Sequence, residues 1–476
     1  MPNQTEHQTT SQTAHQTAFN SLPLSDALLS NLDSLGYKEM TPIQAASLPI
    51  ILEQRDLIAQ AKTGSGKTAA FSLGILAKLN PTYFAIQGLV ICPTRELADQ
   101  VSNELRRLAR SIENVKVLTL CGGTAMRPQI ASLEHGAHIV VGTPGRLLDH
   151  IGRGSINLST VQTLVLDEAD RMVDMGFYED IYGIVAACSP RRQTLLFSAT
   201  YPDDIRKASK QFLRDPAEVK VESQHNDNHI EQLFYLVTPE ERNAAVARLL
   251  NHYQPASTIA FCNTKIHCKE LTDELQAQGI SALALHGDLE QRDRDEVLVR
   301  FANQSCSVLV ATDVAARGLD IQTLGAVINV DVSKDTEVHI HRIGRTGRAG
   351  EKGLALSLAT PGEKKWVKLI EEYQGEAVRW HELSELDHNP DAPRSALQAP
   401  MVSICIMGGK KDKLRPGDLL GALTADIGLR KEQVGKINVF EFMTYVALDR
   451  HIAEKALEKL SRSNIKGRQF RMRAIY

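Results

Sequence analysis

No stretch of this chain reaches the ~18 consecutive apolar residues that a membrane helix requires, although 43% of its 476 residues are hydrophobic. The N-terminus lacks a basic segment followed by an apolar one, so no signal peptide is expected. The seven cysteines are scattered and never spaced Cys-x-x-Cys. That argues against a disulfide framework or a cysteine zinc site, and for a reducing cytoplasm. The first 18 residues, MPNQTEHQTTSQTAHQTA, contain almost nothing apolar. They cannot bury a core, and a disordered tail is expected over 1–18.

The remainder has the composition of an ordinary globular protein, with 23% charged residues, and its length suits about three domains. Between Leu57 and Thr200 one phrase repeats: a short apolar run, then a polar turn bearing glycine or proline. The instances are DLIAQ-AKTGSGKT, GLVIC-PTREL, HIVV-GTPGR, TLVL-DEAD and TLLF-SAT. Near-continuous Val, Ile and Leu is the signature of parallel strands covered on both faces. With helical stretches such as RELADQVSNELRRLAR between them, the pattern predicts a doubly wound parallel sheet over 19–222. After the polar gap SQHNDNH the phrase returns as STIAF-CNTK, SALAL-HGD, SVLV-ATDVAARG and LALSL-ATP, predicting a second such unit over 230–372. The segment 373–400, containing DHNPDAPRSALQAP, reads as a linker. Residues 401–476 alternate short strands with two helical stretches in the order βαββαβ, a split ferredoxin-like sandwich.

Charge is distributed unevenly. Residues 401–476 hold 15 Lys and Arg against 8 Asp and Glu, a surplus of seven, while the whole chain is at −3. A basic tail domain on an acidic protein points to a polyanion.

The polar turns at strand ends are where open α/β sheets bind ligands. In AKTGSGKT (61–68), Gly64 and Gly66 free backbone amides to close around phosphate oxygens. Lys67 reaches the outer phosphates and Thr68 offers a ligand for Mg2+. Ala61 replaces the usual first glycine. DEAD follows the strand TLVL. An acidic helix start is common by itself, but behind a phosphate loop Asp167 suits the metal, in part through water, and Glu168 suits activation of an attacking water. The pair implies Mg2+-dependent hydrolysis of a nucleoside triphosphate. The second unit has no phosphate loop. It ends in HRIGRTGRAG, where Arg345 and Arg348, three apart, are expected on one helical face. There they could stabilise charge on a γ-phosphate.

DEAD, SAT (198–200), PTRELA (93–98), TPGR (143–146), ATDVAARGLDI (311–321) and HRIGRTGR (341–348) occur in this order and spacing. In this the chain resembles the DEAD-box RNA helicases over about residues 19–370. The resemblance implies two RecA-like domains that use ATP and Mg2+. It places the nucleotide on Ala61, Lys62, Thr63, Gly64, Ser65, Gly66, Lys67 and Thr68. GYKEMTPIQ (36–44) looks like the family's adenine-reading segment, with Gln44 on the base edge, Tyr37 stacked on the ring and Phe19 as an upstream buttress. Asp320 would touch the ribose. Asp170, Ser198, Thr200 and His341 would couple hydrolysis to domain movement. Pro93, Thr94, Arg95, Gly123, Thr143, Gly145 and Arg146 would line RNA in the first domain, and Thr264, Gln291, Arg294, Thr312 and Asp313 in the second. Contacts at strand-end turns suit phosphates, which carry no base information, so local strand separation is expected rather than long translocation. An ATP-gated clamp, annealer or scaffold on RNA would carry the same motifs.

The segment GGKKDKLRPGDLLGAL clusters Lys410, Lys411, Lys413 and Arg415 on a loop that enters a helix at Pro416, beside exposed amides suited to phosphate. Lys466, Arg468, Arg471 and Arg473 add charge near the last strand. The strand order suggests an RNA recognition motif, yet its stacking aromatics are sparse. Met443 and Ser403 stand where rings belong, although Tyr445 is retained. The loop at Lys410–Arg415 is therefore the expected reading surface, with dimerisation as the competing role of the domain. Core and tail together resemble a bacterial branch of the family directed to ribosomal RNA. That implies a structured hairpin of large-subunit ribosomal RNA as partner and pre-50S particles as the setting. No membrane and no stable protein partner is expected, and the location is cytoplasmic.

Overall fold

The computed structural model describes all residues except 1–16, 62–63, 202, 222–229, 317–323, 348–351 and 389–396. Two compact units result, one ahead of residue 222 and one from residue 230 onward. Four of the expected site residues, Lys62, Thr63, Asp320 and Arg348, lie outside the described residues, as do most of the N-terminal tail and the polar gap.

The first unit is built on seven parallel strands: β1 (Leu57–Gln60), β2 (Gly88–Ile91), β3 (Val117–Leu120), β4 (Ile139–Gly142), β5 (Thr163–Asp167), β6 (Gln193–Ser198) and β7 (Ala217–Lys220). Their spatial order is β3-β4-β2-β5-β6-β1-β7. Strands β2, β4, β5 and β6 are buried along their whole length. Alternation explains why their sequences are apolar throughout. Val90 and Val165 enter the core on one face, while Leu89, Ile91, Leu164 and Leu166 enter the core on the other. The five expected strands are present. Of the two edge strands, β7 (AEVK) is half-buried and mixed in polarity, whereas β3 (VLTL) is apolar but fully buried only at its two ends.

The second unit repeats the plan with β8 (Ile230–Leu236), β9 (Thr258–Cys262), β10 (Ala282–Leu285), β11 (Val308–Thr312), β12 (Ala326–Asn329), β13 (Gly353–Ala359) and β14 (Arg379–His381). All pair in parallel, in the order β10-β11-β9-β12-β13-β8-β14. Strand for strand this is the order of the first sheet. β14 falls inside the segment expected as linker, so the second sheet reaches past residue 372.

The C-terminal sheet is antiparallel: β15 (Met401–Ile406), β16 (Val434–Val439), β17 (Thr444–Asp449) and β18 (Met472–Ile475), ordered β16-β17-β15-β18. The first and third strands are central, as a βαββαβ sandwich requires. Val402, Ile404 and Ile406 face a core built with Leu419, Leu423, Ala456 and Leu460 from the helical layer. The opposite face is covered too. Cys405, Tyr445 and Ile475 pack on Val299, from the helix Gln291–Ala302 of the second parallel-sheet layer. Ser403 is fully buried, 2.8 Å from the Ser305 hydroxyl and within reach of the Asn303 amide. Arg473 donates to Glu296 at 3.1 Å. Main-chain bonds from Ser281 to Leu397 and from Met401 to Gln304 continue the seam.

Candidate nucleotide and RNA sites

Strand order sorts the motifs of the first unit. Reading across the carboxyl ends, the phosphate loop follows β1, SAT ends β6 and DEAD ends β5. PTRELA then follows β2, TPGR follows β4, and the Gly122–Gly123 turn follows β3. The motifs expected to hold nucleotide and those expected to hold RNA thus occupy two adjoining runs of strand ends, with β5 at their border.

The phosphate loop is tied down on both sides. The Ala61 amide donates to the Ser198 carbonyl at 3.0 Å. Gly64 and Gly66 adopt φ of 82° and 99°, a left-handed region that favours glycine. A Cβ on Gly66 would also sit 2.5 Å from Gln44 Nε2. Gln44 is buried, donates from Nε2 to the Gly66 carbonyl at 3.1 Å and accepts from the Thr41 amide at 2.9 Å. The segment expected to read adenine and the loop expected to hold phosphate are therefore one hydrogen-bonded unit. The helix Lys67–Lys78 starts at the loop. Lys67 is buried and its Nζ donates to the Ala61 carbonyl at 2.6 Å, while the buried Ser65 hydroxyl has no partner among the described residues. Phe19 packs edge-on against Tyr37, with ring centroids 6.1 Å apart. The Tyr37 hydroxyl donates to Glu104 at 2.6 Å and accepts from Arg107 at 2.7 Å. Burial and Glu104 push it up to about 12.

At the end of β5 three carboxylates meet three different fates. Burial, with Glu168 close by, pushes Asp167 up to about 7 although Lys67 opposes it. Glu168 occupies φ 53°, ψ 52°, an unusual conformation for a glutamate. Its carboxylate is gripped by Arg171 at 2.8 Å, with both side chains buried. Asp170 accepts from the Ala199 and Thr200 amides and the Thr200 hydroxyl at 2.9–3.1 Å, and its own amide donates to Ser198 Oγ. Burial opposes ionisation of Asp170, but the Thr200 amide, Lys67 and Ser198 outweigh it and hold the carboxyl below its usual range. DEAD and SAT are joined through this residue. The donor set fits Mg2+: Asp167 is a buried carboxyl with a second carboxylate beside it, and a divalent cation would supply the missing positive charge.

Among the expected RNA residues, Thr94 caps the helix Arg95–Leu108 by accepting from the Leu97 amide. Among the described residues nothing bonds Arg95 Nε and Nη1, which are buried. Arg146 donates to the Thr124 carbonyl and to Gln129 Oε1 at 2.9 Å, and Gln129 in turn bonds the Cys121 carbonyl, Thr124 and His150. Gln129, not recognised in the sequence, thus joins the Gly123 turn to TPGR. Gly145 is open to solvent.

In the second unit Thr264 caps the helix Lys265–Ala277. Asp313 is held by Arg342 through two bonds of 2.7 Å. Arg342, almost wholly buried, also donates to the Asn263 side chain and the Asp331 carbonyl. It draws three strand ends together, yet sequence reasoning passed over it in favour of its neighbours. Gln291 bonds Asp295, and Arg294 donates to the Ala315 carbonyl. The expectation that Arg345 shares a helical face with Arg348 is corrected. The helix containing His341 spans Thr336–Ile343 and stops at Gly344, placing Arg345 in the following turn. Thr346 then fixes the chain by donating to the Leu324 carbonyl.

Lys410, Lys411, Lys413 and Arg415 are all exposed, on the turn Lys410–Asp412 and the start of the helix Pro416–Gly421. Tyr445, the aromatic retained on the sheet, is buried under the helix Gln291–Ala302 and so is no open stacking platform.

A parallel sheet with a phosphate loop beside an acidic strand end, repeated without that loop in a second sheet, defines a helicase of the two-domain ATP-dependent class. Family descriptions agree: residues 41–208 match the DEAD/DEAH box helicase, 241–350 the helicase conserved C-terminal domain, and 403–474 the DbpA RNA binding domain. The chain belongs to the DEAD-box ATP-dependent RNA helicases, of the DbpA type. It is 51% identical to the ATP-dependent RNA helicase DbpA of Escherichia coli over 96% of this chain and 100% of that protein. Identity to the DbpA of Bacillus subtilis is 36%, over 95% and 98%. Among solved structures, Saccharomyces cerevisiae Dbp5 bound to RNA and ADP BeF3 superposes with a TM-score of 0.71 at 30% identity, covering 78% of this chain and 97% of that one.

Proposed function

We propose that this protein hydrolyses ATP when bound to RNA and locally separates short duplexes, and that residues 401–476 direct it to a hairpin of large-subunit ribosomal RNA during 50S assembly in the cytoplasm. The observation that carries the reading is the adjacency, across one sheet edge, of the phosphate loop, the acidic strand end and the RNA motifs. The 19–222 and 230–372 domains form the engine, with β14 extending the second sheet into the 373–400 segment that leads to the C-terminal domain, and 1–18 is a tail.

In this reading Lys67 orients the outer phosphates, with Ala61 to Thr68 as cradle and Phe19, Tyr37 and Gln44 selecting adenine. Thr68 and Asp167 would hold Mg2+, which when bound neutralises phosphate charge. Glu168 takes a proton from the attacking water, and for that it leaves Arg171. Arg345 and Arg348 supply cationic charge to the transferred phosphate, and Asp320 meets the ribose. Asp170, Ser198, Thr200 and His341 relay the state of the nucleotide. Pro93, Thr94, Arg95, Gly123, Thr143, Gly145, Arg146, Thr264, Gln291, Arg294, Thr312 and Asp313 hold the RNA backbone. Lys410, Lys411, Lys413 and Arg415 hold the hairpin. Linkage makes the coupling reciprocal: RNA tightens ATP binding as much as ATP tightens RNA binding.

The test pairs phosphate release with strand displacement on duplexes carrying fragments of large-subunit ribosomal RNA. Hydrolysis and displacement should both rise with the cognate fragment, and deletion of 401–476 should abolish that preference. Hydrolysis without displacement would instead favour a clamp.

A further inference from the structure

With the centre of the C-terminal sheet covered by the helix Gln291–Ala302, the domain still exposes aromatic rings: Tyr476 at the chain end, whose hydroxyl donates to Glu454, and a pair of phenylalanines beside the basic loop. Phe440 and Phe442, at the tip of the β16–β17 hairpin, are 41% and 64% exposed. These side chains are not on a loose loop. The Phe440 amide closes the hairpin on the Met443 carbonyl, and its ring packs edge-on against buried Tyr445 at 5.8 Å. The hairpin is also fused to the basic loop. The Lys410 amide donates to the Phe440 carbonyl at 2.8 Å, and the Lys411 amide to the Glu441 carbonyl at 3.0 Å. Gly409 permits this closeness, since a Cβ there would lie 2.4 Å from the Phe440 oxygen. Lys411 and Glu441 add an exposed ion pair at 3.3 Å.

We infer that Phe442, on the hairpin tip that Phe440 anchors to Tyr445, is a stacking platform for an unpaired base of the RNA whose phosphates lie on Lys410, Lys411, Lys413 and Arg415. The inference rests on the RNA-binding role proposed for this loop and adds to it a base-contacting residue. Charge selects the occupant. An aromatic ring on a hairpin bonded to a loop that carries four exposed cations, in a domain with seven surplus positive charges, suits a polyanion that also offers flat apolar faces. Single-stranded RNA meets both requirements, because every base has a face on which a ring can stack. A fully paired stem offers phosphates but no free base. The platform therefore favours loops and bulges, and it does the work that the covered sheet face does elsewhere in this fold class.

The experiment uses the full chain without nucleotide and a fluorescent stem–loop RNA from large-subunit ribosomal RNA, alongside the same stem with abasic loop positions. Phe442→Ala should weaken binding to the base-bearing loop about tenfold, leave the salt slope unchanged and have no effect on the abasic RNA. Phe442→Trp should bind like the parent. Lys411→Ala combined with Lys413→Ala should weaken both RNAs and flatten the salt dependence by about one unit for each lost phosphate contact. If the lysine pair matters but Phe442→Ala stays within twofold of the parent, or loses equally on the abasic RNA, the platform is refuted while the RNA-binding loop survives. If the lysine pair changes nothing, both fall.

Discussion

The two parallel sheets share one strand order, so their fourth positions, β5 and β12, are topological counterparts. Each is followed by buried acid, and the two acids are treated in opposite ways. Asp167 is pushed up to about 7 by burial and by Glu168. Asp331 also feels burial, but hydrogen bonds from His267 and the Asn263 amide, with Arg242 beside them, pull it down to about 2. Arg242 bridges Asp331 and Glu363 as an internal clamp. At one sheet end the nearby Lys67 does not offset burial and the neighbouring Glu168, which leaves Asp167 a carboxyl that a cation would stabilise. The other is neutralised by the chain itself and serves as a brace for Asn263, Asp313 and Arg342. Topology thus fixes where an acid can act, and its cationic neighbours decide whether it acts or merely supports.

The largest expected effect tests the working end. Glu168→Gln should lower RNA-stimulated phosphate release by about 10²–10⁴-fold with ATP binding retained; release at the parent rate would remove Glu168 as the base. Next comes stability. Arg242→Ala leaves Asp331 and Glu363 without their clamp and should destabilise the protein by about 3–5 kcal/mol, the range for breaking a buried pair. Asp167→Asn removes an undercompensated carboxylate and should raise the metal-free melting temperature or leave it unchanged while abolishing hydrolysis. Equal losses of stability in the two variants would erase the contrast.

The pH dependence has opposite signs at the two ends. A carboxyl raised on folding costs stability as it ionises, so Asp167 should weaken metal-free protein as pH rises from about 4 to about 7. A carboxyl lowered on folding adds stability above its unfolded value, so the Asp331 contribution should vanish as pH falls from about 4 to about 2. Melting curves of the parent, Asp167→Asn and Asp331→Asn across these ranges separate the two. The smallest effect concerns His267. Its bond to Asp331 raises its pKa against the cost of burial, so its contribution is present in acid and lost as pH rises through the raised value. His267→Ala should therefore cost more stability at pH 6 than at pH 9.

Much of this was legible in residues alone. Apolar runs ending in GSGKT, DEAD, SAT and TPGR betray strands and ligand-bearing turns together, because a strand buried on both faces must be apolar throughout and its end must be polar. Arg171, Gln129, Arg242 and Arg342 were not legible. Each acts by bonding a group that the fold brings to it: Arg171, Gln129 and Arg242 look like solvated helix surface, and Arg342, though inside HRIGRTGR, shows nothing in that string of the Asp313 and Asn263 it binds. Arg345 misled for a related reason: its spacing to Arg348 fits a helix, but Gly344 ends that helix just before it.

By itself, then, the sequence determined the two parallel sheets, the antiparallel tail domain and the identity of the phosphate and acidic motifs, since these follow from local periodicity and turn chemistry. Tertiary structure alone decided that Asp167 lacks a full complement of cations while Asp331 has one. It also decided that the C-terminal sheet is covered while Phe442 stays exposed. Burial and charge pairing depend on which distant residues share a volume, and no local pattern encodes that.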